Sequence, residues 1–244
     1  MVLLSWSLML LTSTAWARGD APVVAPPQAL EVGGQQVNSY YYPPQGSKKS
    51  MKPVVVWMHG RSGNAEADCR KWKEVATEFG WLLCVSGTEN RGAGARGWAN
   101  SWPQAKVAVD AALDALKKKY PKRVQSKNNI LIGFSEGAFT AMNIGVREPE
   151  VFSRWLILAA SDIYWGGEGR AELKKNRKQI KRVYLLTGGL DMVAPNTKRV
   201  KGWVDEEKVK VKMWLPEDIG HEVPGDRMKE FYRRPLRWLN DAKK

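Results

Sequence analysis

An α/β architecture, with a mostly parallel central sheet covered by helices on both faces, is what three features of the sequence predict. Uninterrupted apolar runs of strand length recur along the chain, among them Val54–Met58 (VVVWM) and Trp81–Val85 (WLLCV); a strand buried on both faces reads this way instead of alternating. Stretches with apolar residues at helical spacing lie between these runs, and strands joined through helices are parallel, with right-handed crossovers. The 244 residues are 43% apolar, enough for one full core in a single domain, and no segment repeats at solenoid spacing.

Taken in order, the first residues, MVLLSWSLMLLTSTAWA, run apolar from Val2 to Leu11, carry no charged side chain and end in the small-x-small triplet Ala15-Trp16-Ala17. Residues 1–17 therefore read as a secretory signal whose apolar run is too short for a stable membrane anchor. No cysteine follows the cleavage site, which argues against a lipoprotein. Residues 18–27 (RGDAPVVAPP) form a Pro-rich linker and 28–244 the folded domain. Two short strands flank Gly33-Gly34 as a hairpin. The strand Val54–Met58 halts at His59-Gly60, a helix over 64–79 has Asn64 as its cap, and Trp81–Val85 is the next strand. The Gly-rich loop GTENRGAGARGWANSW leads to a helix opened by Pro103, with an apolar stripe through Val107, Val109, Ala111, Leu113 and Leu116 that stops before Tyr120-Pro121. A strand at 129–134, a helix over 137–147, strands at 155–159, 183–186 and 209–214, and an amphipathic helix from 227 to 240 around Pro235 complete the pattern. Ligands of such sheets bind at the carboxyl ends of the strands.

The excess of 39 Lys and Arg over 25 Asp and Glu gives +14, so the protein is expected to adhere to polyanions. For an exported protein these are anionic envelope polymers, not nucleic acid. Lys117 to Lys119 and the run from Lys174 to Arg182 lack interleaved aromatics, no nucleic-acid-binding motif accompanies them, and both read as solvated faces. The lysine triplet also stands where a helix ends and complements its dipole. Cys69 and Cys84 are the only cysteines. In an oxidising compartment they either form a disulfide, which would contribute about 3 kcal/mol on the chain-entropy model, or stay as two separately buried thiols.

The stretch Ile132-Gly133-Phe134-Ser135-Glu136-Gly137 sets a Gly-x-Ser-x-Gly pattern between the end of a strand and the start of a helix. The glycines leave room for a tight turn that pushes the hydroxyl out of the sheet, and the helix aims its positive end at a developing oxyanion. The Gly-Lys-Ser/Thr of a phosphate loop and the third glycine of a dinucleotide fingerprint are both missing. A serine nucleophile needs a base, and the chain has two histidines. In the order nucleophile, acid, base, only His221, on a loop after the last strand, qualifies; His59, directly after a strand, is expected to be structural. The acid lies among Asp162, Asp191, Asp205 and Asp218. Asp191 is favoured because the turn Gly188-Gly189-Leu190 presents it at the end of a strand. Asp162 is the reserve, Asp205 belongs to a surface and Asp218 is a turn former too near His221.

The segments His59-Gly60-Arg61-Ser62-Gly63, Gly133-Phe134-Ser135-Glu136-Gly137, Gly189-Leu190-Asp191-Met192-Val193-Ala194-Pro195 and Gly220-His221 together resemble an α/β-hydrolase, similar to the dienelactone-hydrolase and carboxylesterase/phospholipase-like branches, over nearly all of the chain after the leader. The resemblance implies Ser135 as nucleophile, Asp191 as acid, His221 as base, an oxyanion hole from the backbone N–H groups of Arg61 and Glu136, and no metal or cofactor. The Glu136 carboxylate is compatible with such a hole only if it turns away. The implied chemistry is acyl transfer from a small or polymeric ester. The segment between Ala159 and Val183 is too short for a cap domain, so the site should be open. Trp98, Trp102 and Trp165, on loops expected at the catalytic edge, either form a stacking platform for substrate or simply pack those loops. A serine peptidase on the same fold and a non-catalytic binder of envelope polymers are the other two readings.

Overall fold

In the computed structural model, residues 25–33, 37–46 and 50–241 are described. The expected signal and most of the linker lie outside them, as do the hairpin residue Gly34 and part of the polar loop before the first buried strand. The sheet begins with an antiparallel hairpin, β1 (Gln28–Leu30) and β2 (Ser39–Tyr42), paired Gln28 to Tyr41. Then strand and helix alternate: β3 (Val54–Met58), α1 (Ala65–Ala76) and β4 (Trp81–Val85). A two-residue-per-strand ribbon, β5 (Glu89–Asn90) and β6 (Arg96–Gly97), leads to α2 (Trp102–Lys119) and β7 (Ile130–Phe134). The chain continues through α3 (Glu136–Arg147), β8 (Arg154–Leu158), α4 (Gly166–Asn176), β9 (Arg182–Leu186), α5 (Ala194–Glu206), β10 (Val211–Trp214) and α6 (Met228–Asn240). The eight-stranded order is β1-β2-β4-β3-β7-β8-β9-β10, parallel from β4 to β10.

The run VVVWM is continuous in hydrophobicity because its alternate side chains enter two different cores. Val54, Val56 and Met58 join the layer under α2 and α3, whereas Val55 and Trp57 join the layer under α1 and α6. The second layer is closed by the stripe Met228, Phe231, Tyr232, Pro235, Leu236 and Leu239 of α6, spaced for one helical face. Asn64 caps α1 as expected, its side-chain oxygen accepting the Ala67 N–H at 2.9 Å. A disulfide ties Cys69 of α1 to Cys84 of β4 across a Cα separation of 5.7 Å. Both basic runs lie largely in solvent: Lys118 and Lys119 end α2, and Lys174, Lys175, Arg177, Lys178 and Lys181 are exposed.

The sequence pattern gives no account of α4 or α5. Helix α4 buries one large side chain, Leu173, and opens on glycines, so its periodic signal is faint. Helix α5 sits behind Pro195 with its buried positions split between Thr197, Val200 and Val204. Strand β10 starts at Val211, two residues inside the expected start, because its pairing to β9 begins with Val211 opposite Val183.

Candidate active site

Strand β7 is central in the sheet, and the chain leaves it through a single residue, Ser135, before α3 begins. Ser135 has φ 54° and ψ −117°, a conformation that costs a non-glycine residue on the order of 1–3 kcal/mol. The flanking glycines make the turn sterically possible. A Cβ on Gly133 would stand 2.3 Å from the carbonyl oxygen of Gly137, and one on Gly137 would stand 2.3 Å from that of Met58. The turn lifts the hydroxyl toward the loops at the carboxyl ends of β9 and β10.

His221 lies on the loop after β10, and its Nε2 is 2.9 Å from Ser135 Oγ. Its Nδ1 is 2.7 Å from Asp191 Oδ2. With Nδ1–H donating to the carboxylate, Nε2 is left to accept the serine proton. The Asp191 side chain is buried while the imidazole is about half exposed, and Asp191 Oδ1 accepts the Val193 N–H at 3.0 Å. The loop after β9 and the loop bearing His221 are laced together. Gly189 N–H donates to Pro216 at 2.6 Å, Leu190 N–H donates to Ile219 at 3.0 Å, and a Cβ on Gly188 would meet the Ile219 carbonyl at 2.1 Å. The imidazole also rests against Phe134, ring centroids 5.0 Å apart.

No family model and no curated protein sequence matches the chain. Solved structures do. The Bacillus cereus carboxylesterase is 16% identical at TM-score 0.59, covering 84% of this chain and 93% of its own. A ferulic acid esterase is 14% identical at TM-score 0.64, with 84% and 92% covered. Porphyromonas gingivalis dipeptidyl peptidase 4 is 17% identical at TM-score 0.61, and there the match covers 88% of this chain but 35% of the peptidase. The chain has the α/β-hydrolase fold.

In an α/β-hydrolase, the donors for a reacting carbonyl are the N–H after the elbow residue and one from the loop after the strand corresponding here to β3. The residues at those positions are Glu136, directly after Ser135, and, on the expectation drawn from the sequence, Arg61. Neither donates to a backbone carbonyl among the described residues. Gly60 brings its loop against the elbow, since a Cβ there would lie 3.4 Å from Ser135 Cβ. The Glu136 carboxylate does turn away: it is buried beneath residues 98–100, accepting the Trp98 N–H at 3.1 Å and the Asn100 N–H at 3.3 Å.

Around Ser135 the fold leaves an open cleft of about 360 Å³, lined by Arg61 and Asn100 together with Phe139, Ile163 and Tyr164. The rings of Phe139 and Tyr164 lie 4.6 Å apart and tilted by 31°, Ile163 and Tyr164 are exposed, and so are Leu190 and Met192 on either side of Asp191. Sequence reasoning missed this wall. Its signal was positional: Phe139 is one helical turn past Ser135, and Ile163 and Tyr164 lie on the loop after the carboxyl end of β8, five and six residues past Leu158.

The tryptophan platform does not form. Trp98 is fully buried, its indole N–H donating to the His59 carbonyl at 2.7 Å. Trp165 is buried against Trp203. Trp102 is the first residue of α2, and the Arg147 guanidinium covers its ring at 4.1 Å. Of the two readings of these side chains, packing of the loops is the one that holds for Trp98 and Trp165. The other candidate acids are engaged elsewhere. Asp162 pairs with Arg199 at 2.7 and 3.0 Å, which holds its carboxyl below the ordinary range; Asp218 pairs with Arg227 at 2.9 Å, and Asp205 with Lys201. Among the described residues no group of three His, Cys, Asp or Glu side chains is placed to hold a metal ion.

Proposed function

We propose that the protein is a serine hydrolase that cleaves carboxylic esters through an acyl-enzyme on Ser135. The observation that carries this reading is the unbroken relay Ser135 Oγ, His221 and Asp191, at 2.9 and 2.7 Å, on a strained elbow of an α/β-hydrolase fold. Ser135 Oγ attacks the ester carbonyl while His221 Nε2 removes its proton. The carbonyl oxygen, now negative, takes hydrogen bonds from the amides of Arg61 and Glu136. His221 returns the proton to the departing alcohol, and water repeats the sequence in reverse on the acyl-enzyme. Asp191 keeps its charge throughout, fixing the tautomer and stabilising the imidazolium.

The apolar wall of Phe139, Ile163 and Tyr164 suits a bulky or aromatic acyl group, and the open mouth suits esters carried on larger or polymeric molecules. The charge of +14 favours anionic envelope polymers as the carrier. The leader-like start of the sequence and the Cys69–Cys84 disulfide support a secreted or periplasmic location, and no helix among the described residues is long and apolar enough to cross a membrane.

The decisive experiment is fluorophosphonate labelling followed by a panel of p-nitrophenyl esters of graded acyl size. Labelling at Ser135 and a loss of more than tenfold in kcat for Ser135→Ala are expected; a smaller loss sinks the reading. A serine peptidase is the second reading, favoured by the match to a dipeptidyl peptidase over 88% of this chain. It wins if aminoacyl-anilides turn over faster than matched esters. Salt-sensitive polymer binding with no labelling of Ser135 would instead mark a non-catalytic binder.

A further inference from the structure

We propose that Glu136 is a positioning residue, its buried carboxylate bracing the two amides that receive the oxyanion; this rests on the ester-hydrolase reading above. The two amides come from different loops, after β3 and after β7. The sheet itself joins those loops no nearer the site than the pairing of Met58 with Gly133. Past that point the braces are side-chain contacts that converge on Glu136.

The first brace is a seat made of backbone. Ala99 and Asn100 both have φ 51°, in a turn where the three successive N–H groups of residues 98–100 all donate to carboxylates, as in the backbone concavities that bind anions. Its occupant is the chain's own acid: Glu136 Oε2 takes the Trp98 N–H at 3.1 Å and Oε1 takes the Asn100 N–H at 3.3 Å, while Glu89 takes the Ala99 N–H between them at 3.3 Å. From Trp98 the linkage runs on to the β3 loop, through the indole N–H donated to the His59 carbonyl at 2.7 Å. His59 is two residues before Arg61. The second brace is direct. Arg61 Nη2 lies 3.4 Å from Glu136 Oε1 and donates to Asn100 Oδ1 at 3.1 Å. The residues that supply the two oxyanion amides are thus tied to each other by their own side chains.

Charge explains why a carboxylate is tolerated beside a site where negative charge develops. Two amides and one guanidinium face it, so its field at the cleft is offset. An amide of the same shape would fit the volume but set its NH₂ against a backbone N–H or against Arg61.

The test measures kcat and KM on a p-nitrophenyl ester, together with inhibition by a trifluoromethyl ketone that forms the tetrahedral oxyanion on Ser135, for wild type, Glu136→Ala, Glu136→Gln and Arg61→Ala. Losing the brace should resemble losing an oxyanion donor, so Glu136→Ala is expected to lower kcat on the order of 10²-fold with KM changed little, and to weaken the ketone in parallel. Glu136→Gln should fall between it and wild type. Arg61→Ala, which keeps its amide and truncates a half-exposed side chain, should lose about tenfold by the same measure and gives a readout if the Glu136 variants do not fold. Folded variants with kcat within twofold of wild type, or with kcat lowered and ketone affinity unchanged, would overturn the proposal while leaving the ester-hydrolase reading intact. A wild-type protein that neither turns over esters nor is labelled at Ser135 overturns both.

Discussion

The two histidines sit at the same edge of one sheet, and their surroundings are opposites. His59 follows β3 and is fully buried. Its Nδ1 donates to the Gly60 carbonyl at 2.7 Å, its Nε2 accepts the Gly87 N–H at 3.0 Å, and its ring packs 5.1 Å from Trp98. Burial pushes its pKa below the usual histidine value, so the ring is neutral and both nitrogens are committed. His221 lies on a loop, is half exposed, and has one nitrogen committed to Asp191 while the other faces Ser135. Partner geometry, not residue type, separates a structural histidine from one able to move a proton.

Substituting His221 by Ala tests that contrast at its strongest point. Activity on p-nitrophenyl esters should fall by about 10⁶-fold in kcat, while the urea midpoint stays near wild type because the ring is partly solvated. Asp191→Asn is the next largest change. By leaving the imidazole in the wrong tautomer, it should lower kcat by about 10⁴. His59→Ala should invert the pattern, costing about 3 kcal/mol in denaturant unfolding through a cavity and an orphaned Gly87 N–H, with a much smaller loss of turnover. An equal loss of activity in the His59 and His221 variants would end the comparison.

The smallest effect is in pH. His59 is neutral in the fold, whereas the unfolded chain takes up its proton near pH 6.5. Its contribution is therefore complete above about pH 6.5 and is lost as pH falls toward the lower folded pKa, by at most about 1.4 kcal/mol per pH unit. Unfolding of wild type and His59→Gln at pH 7 and pH 5 measures it, and the variant should show the shallower slope.

Most of the fold is legible in the sequence because the central strands carry their signal locally: VVVWM, WLLCV and ILIGF are buried on both faces and look it. The candidate relay is legible for a different reason. With two histidines in the whole chain, choosing among bases is nearly forced. The seat for Glu136 is not legible, because it depends on Ala99 and Asn100 adopting positive φ in a loop whose glycines hide which residues turn. Nor is the apolar wall, because Phe139, Ile163 and Tyr164 converge only once α3 and the β8 loop are placed side by side. Trp98 and Trp165 stay undecided in the sequence for the complementary reason: a large side chain in a polar segment gives no local sign of whether the segment closes over it.

One core layer joins the first long helix to the last. Trp72 of α1 packs on Tyr232 of α6 at 4.6 Å, with Val75 and Leu236 in the same layer. A chain emerging amino end first, from a ribosome or through a translocation pore, must therefore hold the part of α1 that meets α6 uncovered until that thirteen-residue helix arrives. During that interval the α6 side of Trp72 is an adhesive spot open to other nascent chains, while its contact with Trp57 and the Cys69–Cys84 bond can both form before α6 docks.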